Sequence, residues 1–254
     1  KKPKWILFDY NLTGLIGKRQ TLKQKLLYYV VSHADGIVTI SQSEESALRA
    51  LFPDKKIKFL YLGTDIKFFK PQNIPEENFI LSVGRDPGRD FTTLFEAVKD
   101  MDIEIKITTR PHQLKRFGAL PKNVTVHDFT PKELVLQYAQ AKLVVLPLGV
   151  REEEEHNAMG CSTLVEAMAM GKAIIATKTA TMESYITDGE NGILIPRQNS
   201  DAMQKAMEWL LCNETQRGKL GNHARLYATE FCSSELFAHE LGTFLKEIYS
   251  HDGN

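Results

Sequence analysis

Short apolar runs alternate with amphipathic stretches along most of this chain, the pattern of a buried parallel sheet whose strands are joined by helices. The clearest segment is Gly160 to Pro196, GCSTLVEAMAMGKAIIATKTATMESYITDGENGILIP. Thr163 and Glu166 fit the Thr-x-x-Glu box that caps a helix start. Leu164 to Met170 has almost no polar face, so the predicted helix lies against a sheet. Gly171 ends it, and Ala173 to Thr177 (AIIAT) reads as a buried parallel strand. A short helix is expected over Met182–Thr187 and another strand over Gly192–Ile195. A helix start offers free amides and a positive dipole end, and ligands of parallel sheets gather at the carboxyl ends of the strands.

The same alternation runs from the first residues. Strands are expected at Lys4–Asp9, Ala34–Ile40 and Ile57–Leu62, with helices near Thr21–Ser32 and from Ser41 to Leu51, where Ser41 and Glu44 repeat the capping pattern. The segment between Asp9 and Thr21 reads as a polar loop. Residues 63–78, GTDIKFFKPQNIPEEN, carry two prolines and little periodicity, which places an interdomain linker at 66–78. The alternation then restarts: strand 79–83, helix 90–100, strand 103–108, helix near 111–117, strand 123–127, a helix from Thr130-Pro131-x-Glu133 to about Ala141, and the strand KLVVLP. Beyond Pro196 the chain is helical, with breaks near Asn213 and Cys232.

Composition narrows the field. Lys+Arg and Asp+Glu both number 32, so net charge points neither to nucleic acid nor to an anionic membrane. The three cysteines, Cys161, Cys212 and Cys232, have no metal-site spacing and favour a reducing compartment. No apolar run reaches the ~20 residues of a membrane span, and no signal peptide is evident. The run Glu152-Glu153-Glu154-Glu155-His156 lacks the spacing of a metal site and reads as a solvated acidic loop.

Candidate chemistry gathers at strand ends. Ser82-Val83-Gly84-Arg85 and the following Arg89 place two cations where a strand finishes, suited to a diphosphate that gains charge as a bond to it breaks; a plain turn with solvated arginines is the alternative. Thr109-Arg110-Pro111 and Val126-His127-Asp128-Phe129 follow two further strands, as ligand-facing strand ends or as simple loops. Cys161 at a helix start reads as a thiol of lowered pKa or as a small packing residue. Asp9, with Asn11, stands at a strand end as a general base toward an acceptor or as part of an Asp–Asn turn.

Three stretches, LVEAMAMGKAIIAT with ESYITDGENGILIP, FILSVGRDPGRDFTTLFEA at 79–97 and HADGIVTISQSEESALRALF at 33–52, resemble the group 1 retaining glycosyltransferases of GT-B fold over nearly the whole chain. The resemblance implies an α/β architecture of Rossmann-like parallel sheets. Residues 1–65 would be an incomplete N-terminal acceptor-side domain, whether by truncation or by natural reduction. Residues 79–235 would form a complete C-terminal nucleotide-sugar domain, and 236–254 a helix packing back on the N-terminal part. It further implies transfer of a sugar from a nucleoside diphosphate, UDP or GDP, to a glycan, lipid-linked or small-molecule acceptor. No separate cofactor, metal or nucleic acid would be needed. The setting implied is cytoplasmic, with peripheral membrane association at the inner face through a missing N-terminal part, and the role is glycan or exopolysaccharide synthesis.

By the same resemblance, Arg85 and Arg89 act on the diphosphate together with the backbone around Gly160, Ser162, Thr163 and Leu164; Glu166 binds the ribose; and Gly84, Arg110 and Phe129 border the donor. The chain departs from the family at Ala158, where a second glutamate is usual, and has no glycine-rich N-domain loop. A non-catalytic sugar-nucleotide-binding protein and a nucleotide-sugar epimerase are the rival readings. The absence of a Gly-x-Gly-x-x-Gly after a strand weighs against a nicotinamide dehydrogenase.

Overall fold

The computed structural model describes residues 3–17, 20–86, 88–149 and 157–250. The acidic run at 152–156 lies outside them. Two parallel sheets organise the chain. The first has the order β1-β2-β3, formed by Ile6–Asp9, Gly36–Thr39 and Lys56–Phe59. Between them lie helices α1 (Leu12–Ile16), α2 (Leu22–Val31) and α3 (Gln42–Leu51). Helix α1 forms within the expected polar loop: Leu12 and Ile16, one turn apart, bury against Val31, Ile37 and Leu48.

The second sheet has six strands in the order β6-β5-β4-β7-β8-β9: β4 Phe79–Val83, β5 Glu104–Thr108, β6 Val124–His127, β7 Leu143–Leu146, β8 Ile174–Thr177 and β9 Ile193–Ile195. Every pairing in it is parallel. Strand order runs outward in both directions from the β4–β7 pair, which makes that pair the topological switch point where such sheets bind ligands. Helices α4 (Phe91–Val98), α5 (Pro131–Gln140), α6 (Cys161–Ala169), α7 (Ser200–Cys212) and α8 (Glu214–Phe231) cover it. Both faces are buried, by Leu81, Val144, Leu164 and Met168 in one core and Ile80, Leu94, Val145 and Met207 in the other. The helix expected near 111–117 is two 3-10 turns, Pro111–Gln113 and Lys115–Phe117, stopped by Gly118 at φ +65°. The one expected at 182–187 is likewise a 3-10 turn, Met182–Ser184.

The two sheets are held together at several points. The Tyr185 hydroxyl donates to Ile40 O (2.8 Å) and accepts from Leu62 N (3.1 Å), and Thr181 Oγ1 meets Ser41 Oγ at 3.0 Å. Helix α9 (Ser234–Ser250) returns to the small sheet, where Phe244 and Ile248 bury against Val38 and Leu60. In the linker, Arg225 of α8 donates to Ile66 O, Phe69 O and Ala169 O, so its one guanidinium fastens the chain to the end of α6.

Candidate functional site

At the carboxyl ends of β4 and β5 a cavity of about 400 Å³ opens between the linker, α5 and α6. Its lining includes Gly84 and Arg85 after β4, Thr108 at the end of β5, Phe129 before α5, and Thr163 and Glu166 on α6. Five residues predicted from sequence, Gly84, Arg85, Phe129, Thr163 and Glu166, thus converge from three separate segments of the chain. The volume is of the order expected for a small-molecule site.

Helix α6 starts two residues before the expected cap. Gly160, at φ +84°, takes the N-cap position and no side chain caps it. Thr163 is therefore in the first turn and Glu166 in the second, which corrects the predicted capping box. A Cβ at Gly160 would come within 2.9 Å of Leu148, and a left-handed conformation disfavours other residues, so glycine alone permits this tight entry. The uncapped start leaves amides of Ser162 and Thr163 for an outside acceptor. Ser162 is exposed, whereas the Leu164 side chain is wholly buried and its N–H already donates to Gly160 O at 2.9 Å, which corrects the predicted Leu164 contact with a diphosphate.

The two arginines differ. Arg85 is half exposed on the cavity wall and donates to the Asp128 carboxylate and to Phe129 O (3.0 Å). Arg89 lies behind the wall, its side chain 2% exposed, with Nε 2.8 Å from Asp86 Oδ2 and Nη2 3.4 Å from Thr163 Oγ1. Its Nη1 is buried without a partner. A Cβ on Gly84 would stand 2.1 Å from Arg89 Nε, so the glycine is what lets the guanidinium slide beneath the loop. Arg110 is exposed just past β5 and is not among the cavity-lining residues.

Glu166 is held by Tyr138 of α5, whose hydroxyl donates to Oε2 at 3.1 Å. Burial pushes the Glu166 carboxyl up to about 7, while the bond from Tyr138 pulls it down. Cys161 is buried and its thiol is pushed up to about 12 by burial, which makes it a packing residue rather than an activated nucleophile. Ala158, where a second glutamate was expected, is buried, and its N–H donates to Tyr10 O at 2.9 Å.

On the small sheet Asp9 is turned inward. Its Oδ1 accepts from Asn11 N (2.9 Å), and burial together with the neighbouring Glu44 raises its carboxyl to about 8. Glu44, fully buried, accepts from both the amide and the hydroxyl of Thr13. Asn11 precedes α1, and its side chain makes no cap bond. Neither Asp9 nor Asn11 lines the cavity beside β4 and β5.

Sequence reasoning missed four contributors. Phe68 and Phe69 of the linker line the cavity, and two adjacent aromatics in an otherwise polar segment were the available signal. Leu134 lies on the predicted helix after Thr130 and carried no local signal of a site. Nothing local marked Tyr138, whose partner is 28 positions away. Among the described residues no group of three or more His, Cys, Asp or Glu is arranged to hold a metal ion, and no helix is long and apolar enough to cross a membrane.

Known proteins align with this architecture. Sucrose-phosphate synthase from Thermosynechococcus elongatus superposes with a TM-score of 0.82 at 20% identity, covering 98% of this chain and 68% of that one. Anabaena HepE, solved in complex with UDP and glucose, gives 0.78 at 15% identity over 96% of this chain and 71% of its own. These likenesses show the GT-B fold. An uncharacterised glycosyltransferase of Methanocaldococcus jannaschii is 24% identical over 229 residues, 89% of this chain, and the chain spans 64% of that relative's length. Residues 64–227, well over half the chain and including every residue of the cavity, match the family described as glycosyl transferases group 1, and the chain belongs to that family.

Proposed function

We propose that this chain carries the nucleoside-diphosphate-sugar site of a retaining glycosyltransferase, with UDP as the first donor to test. The observation that carries the reading is the convergence of Arg85, Phe129, Thr163 and Glu166 on one cavity beside the switch point of the six-stranded sheet. The base lies toward Phe129 and Thr108, the ribose hydroxyls meet Glu166, and the diphosphate meets the open start of α6. Arg85 exchanges Asp128 for a phosphate oxygen, and Arg89 adds positive charge from behind Gly84. UDP is preferred because HepE, which shares the fold, was solved with it.

In the reaction, an acceptor hydroxyl enters from the side of the small sheet. Its oxygen bonds to the anomeric carbon on the face from which the diphosphate leaves, and its proton passes to the departing phosphate oxygen. The cations and α6 amides stabilise the charge that develops on the diphosphate, so neither an enzymic nucleophile nor a separate cofactor is required. Glycan or exopolysaccharide synthesis is the role proposed. Donor binding without turnover is the second reading. It is favoured by Ala158, a buried methyl where the family's second carboxylate would stand.

Thermal-shift measurements with UDP-, GDP- and ADP-sugars test the reading. One class should raise the melting temperature of the wild type and do so far less for Arg85→Ala; no shift with any of them overturns it. Release of UDP from the stabilising donor in the presence of acceptors separates transferase from binding protein.

A further inference from the structure

Glu166 lines the cavity, yet one of its oxygens is already engaged by a side chain that no ligand can touch. Tyr138 has 0% exposure, and it reaches Glu166 Oε2 across the α5–α6 contact while its ring packs against Phe69 at 6.3 Å between centroids. In this buried setting the hydroxyl has a single acceptor, and the bond fixes which carboxylate oxygen turns inward. We propose that Tyr138 is a positioning residue: it locks the Glu166 carboxylate with Oε1 toward the cavity and so makes the site selective for nucleotides bearing both ribose hydroxyls. The proposal rests on the donor-site reading above.

The chemistry follows from acceptor counting. Two vicinal hydroxyls are both donors, and an ionised carboxylate can accept from them while Oε2 keeps its bond to Tyr138. A protonated Glu166 has one fewer acceptor position, and a carboxylate free to rotate loses the alignment. The charged and titratable groups around it are few. Tyr138 faces it from α5, the Arg89 guanidinium lies beyond Thr163, Arg85 lines the same cavity, and Arg225 meets α6 at its far end, Ala169 O. The linker residues lining the cavity, Phe68 and Phe69, carry no charge. Loss of the Tyr138 bond therefore raises the Glu166 carboxyl further, because the remaining influence is burial.

The test is calorimetric titration of UDP and 2′-deoxy-UDP into wild type, Tyr138→Phe, Glu166→Gln and the double variant between pH 6 and 9, with the Glu166 carboxyl titrated by carbon NMR in the free protein. Wild type should prefer UDP by about tenfold at pH 8. Tyr138→Phe should lose most of that preference at pH 7 and regain part of it at higher pH, with its acidic limb and the NMR midpoint displaced upward by about one unit. In the Glu166→Gln background the Tyr138 change should have no further effect on selectivity. Equal weakening of both nucleotides with an unmoved NMR midpoint would reduce Tyr138 to a packing role and overturn the proposal. If no nucleotide binds wild type although the midpoint moves, the donor reading fails and the selectivity with it, while the Tyr138–Glu166 coupling is established separately.

Discussion

The six-stranded sheet and the three-stranded sheet obey the same alternation of strand and helix, yet they differ in where their inner polar groups face. Around the larger sheet both faces are covered, and among its inner polar residues Arg89, Thr163 and the partly buried Glu166 sit on or behind the wall of one cavity, while Lys172 and Arg217 pair with Glu76. Around the smaller sheet the inward polar groups face each other, with Asp9 beside Glu44 and Glu44 accepting from Thr13, while Trp5, Phe8, Leu22, Leu26 and Tyr29 are exposed. A fully covered sheet can place charge at a strand end and keep it available to a ligand. Around the partly covered one, the inner polar groups named face only their own scaffold.

The largest test of this contrast is steric. Gly221 of α8 sits against α6, and an added Cβ would stand 2.1 Å from Gly171 O, a backbone atom that cannot step aside. Gly221→Ala should lower unfolding free energy by about 3 kcal/mol in denaturant titration, with a lower midpoint. Next comes binding: Arg85→Ala should weaken nucleotide affinity tenfold or more, about 1.5–3 kcal/mol, with a far smaller effect on the melting temperature, because the side chain is half exposed.

The Asp9 carboxyl offers a test by pH. Its folded value of about 8 stands above its ordinary 3.8, so the folded state holds the proton more tightly and stability is lost as pH rises from about 4 through 8. Asp9→Asn should flatten this part of the stability profile and give a protein about 1 kcal/mol more stable than wild type at pH 8. A profile unchanged by the substitution would remove Asp9 from the account. The smallest effect is expected on α9, where Gly242 has nothing within 4 Å of a built Cβ. Gly242→Ala should stabilise by about 0.5–1 kcal/mol, the reverse of Gly221→Ala, since only helix entropy changes.

How much was legible in the sequence follows the same division. The strands of the large sheet were visible because runs such as LVVL and AIIAT are buried on both sides and need no alternation. Thr130 was read correctly as a capping box because Pro131 and Glu133 mark it locally. Thr163 carries the same signature and was misread, since Gly160 in a left-handed conformation opens the helix earlier and Glu166 turns to Tyr138 instead. Helix α1 was missed because its only signal, Leu12 and Ile16, is two residues in a polar stretch. Arg85 and Arg89 look alike in sequence; the Cβ-free space at Gly84 separates an exposed guanidinium from a buried one.

The central claim is that the cavity beside β4 and β5 receives a nucleoside diphosphate, and a crystal structure with UDP tests it most directly. The account predicts ribose hydroxyls within hydrogen-bond distance of Glu166, the base against Phe129, and phosphate oxygens at the Ser162 and Thr163 amides, with Arg85 released from Asp128. UDP bound elsewhere, or an empty cavity at saturating nucleotide with Arg85 still on Asp128, would contradict it.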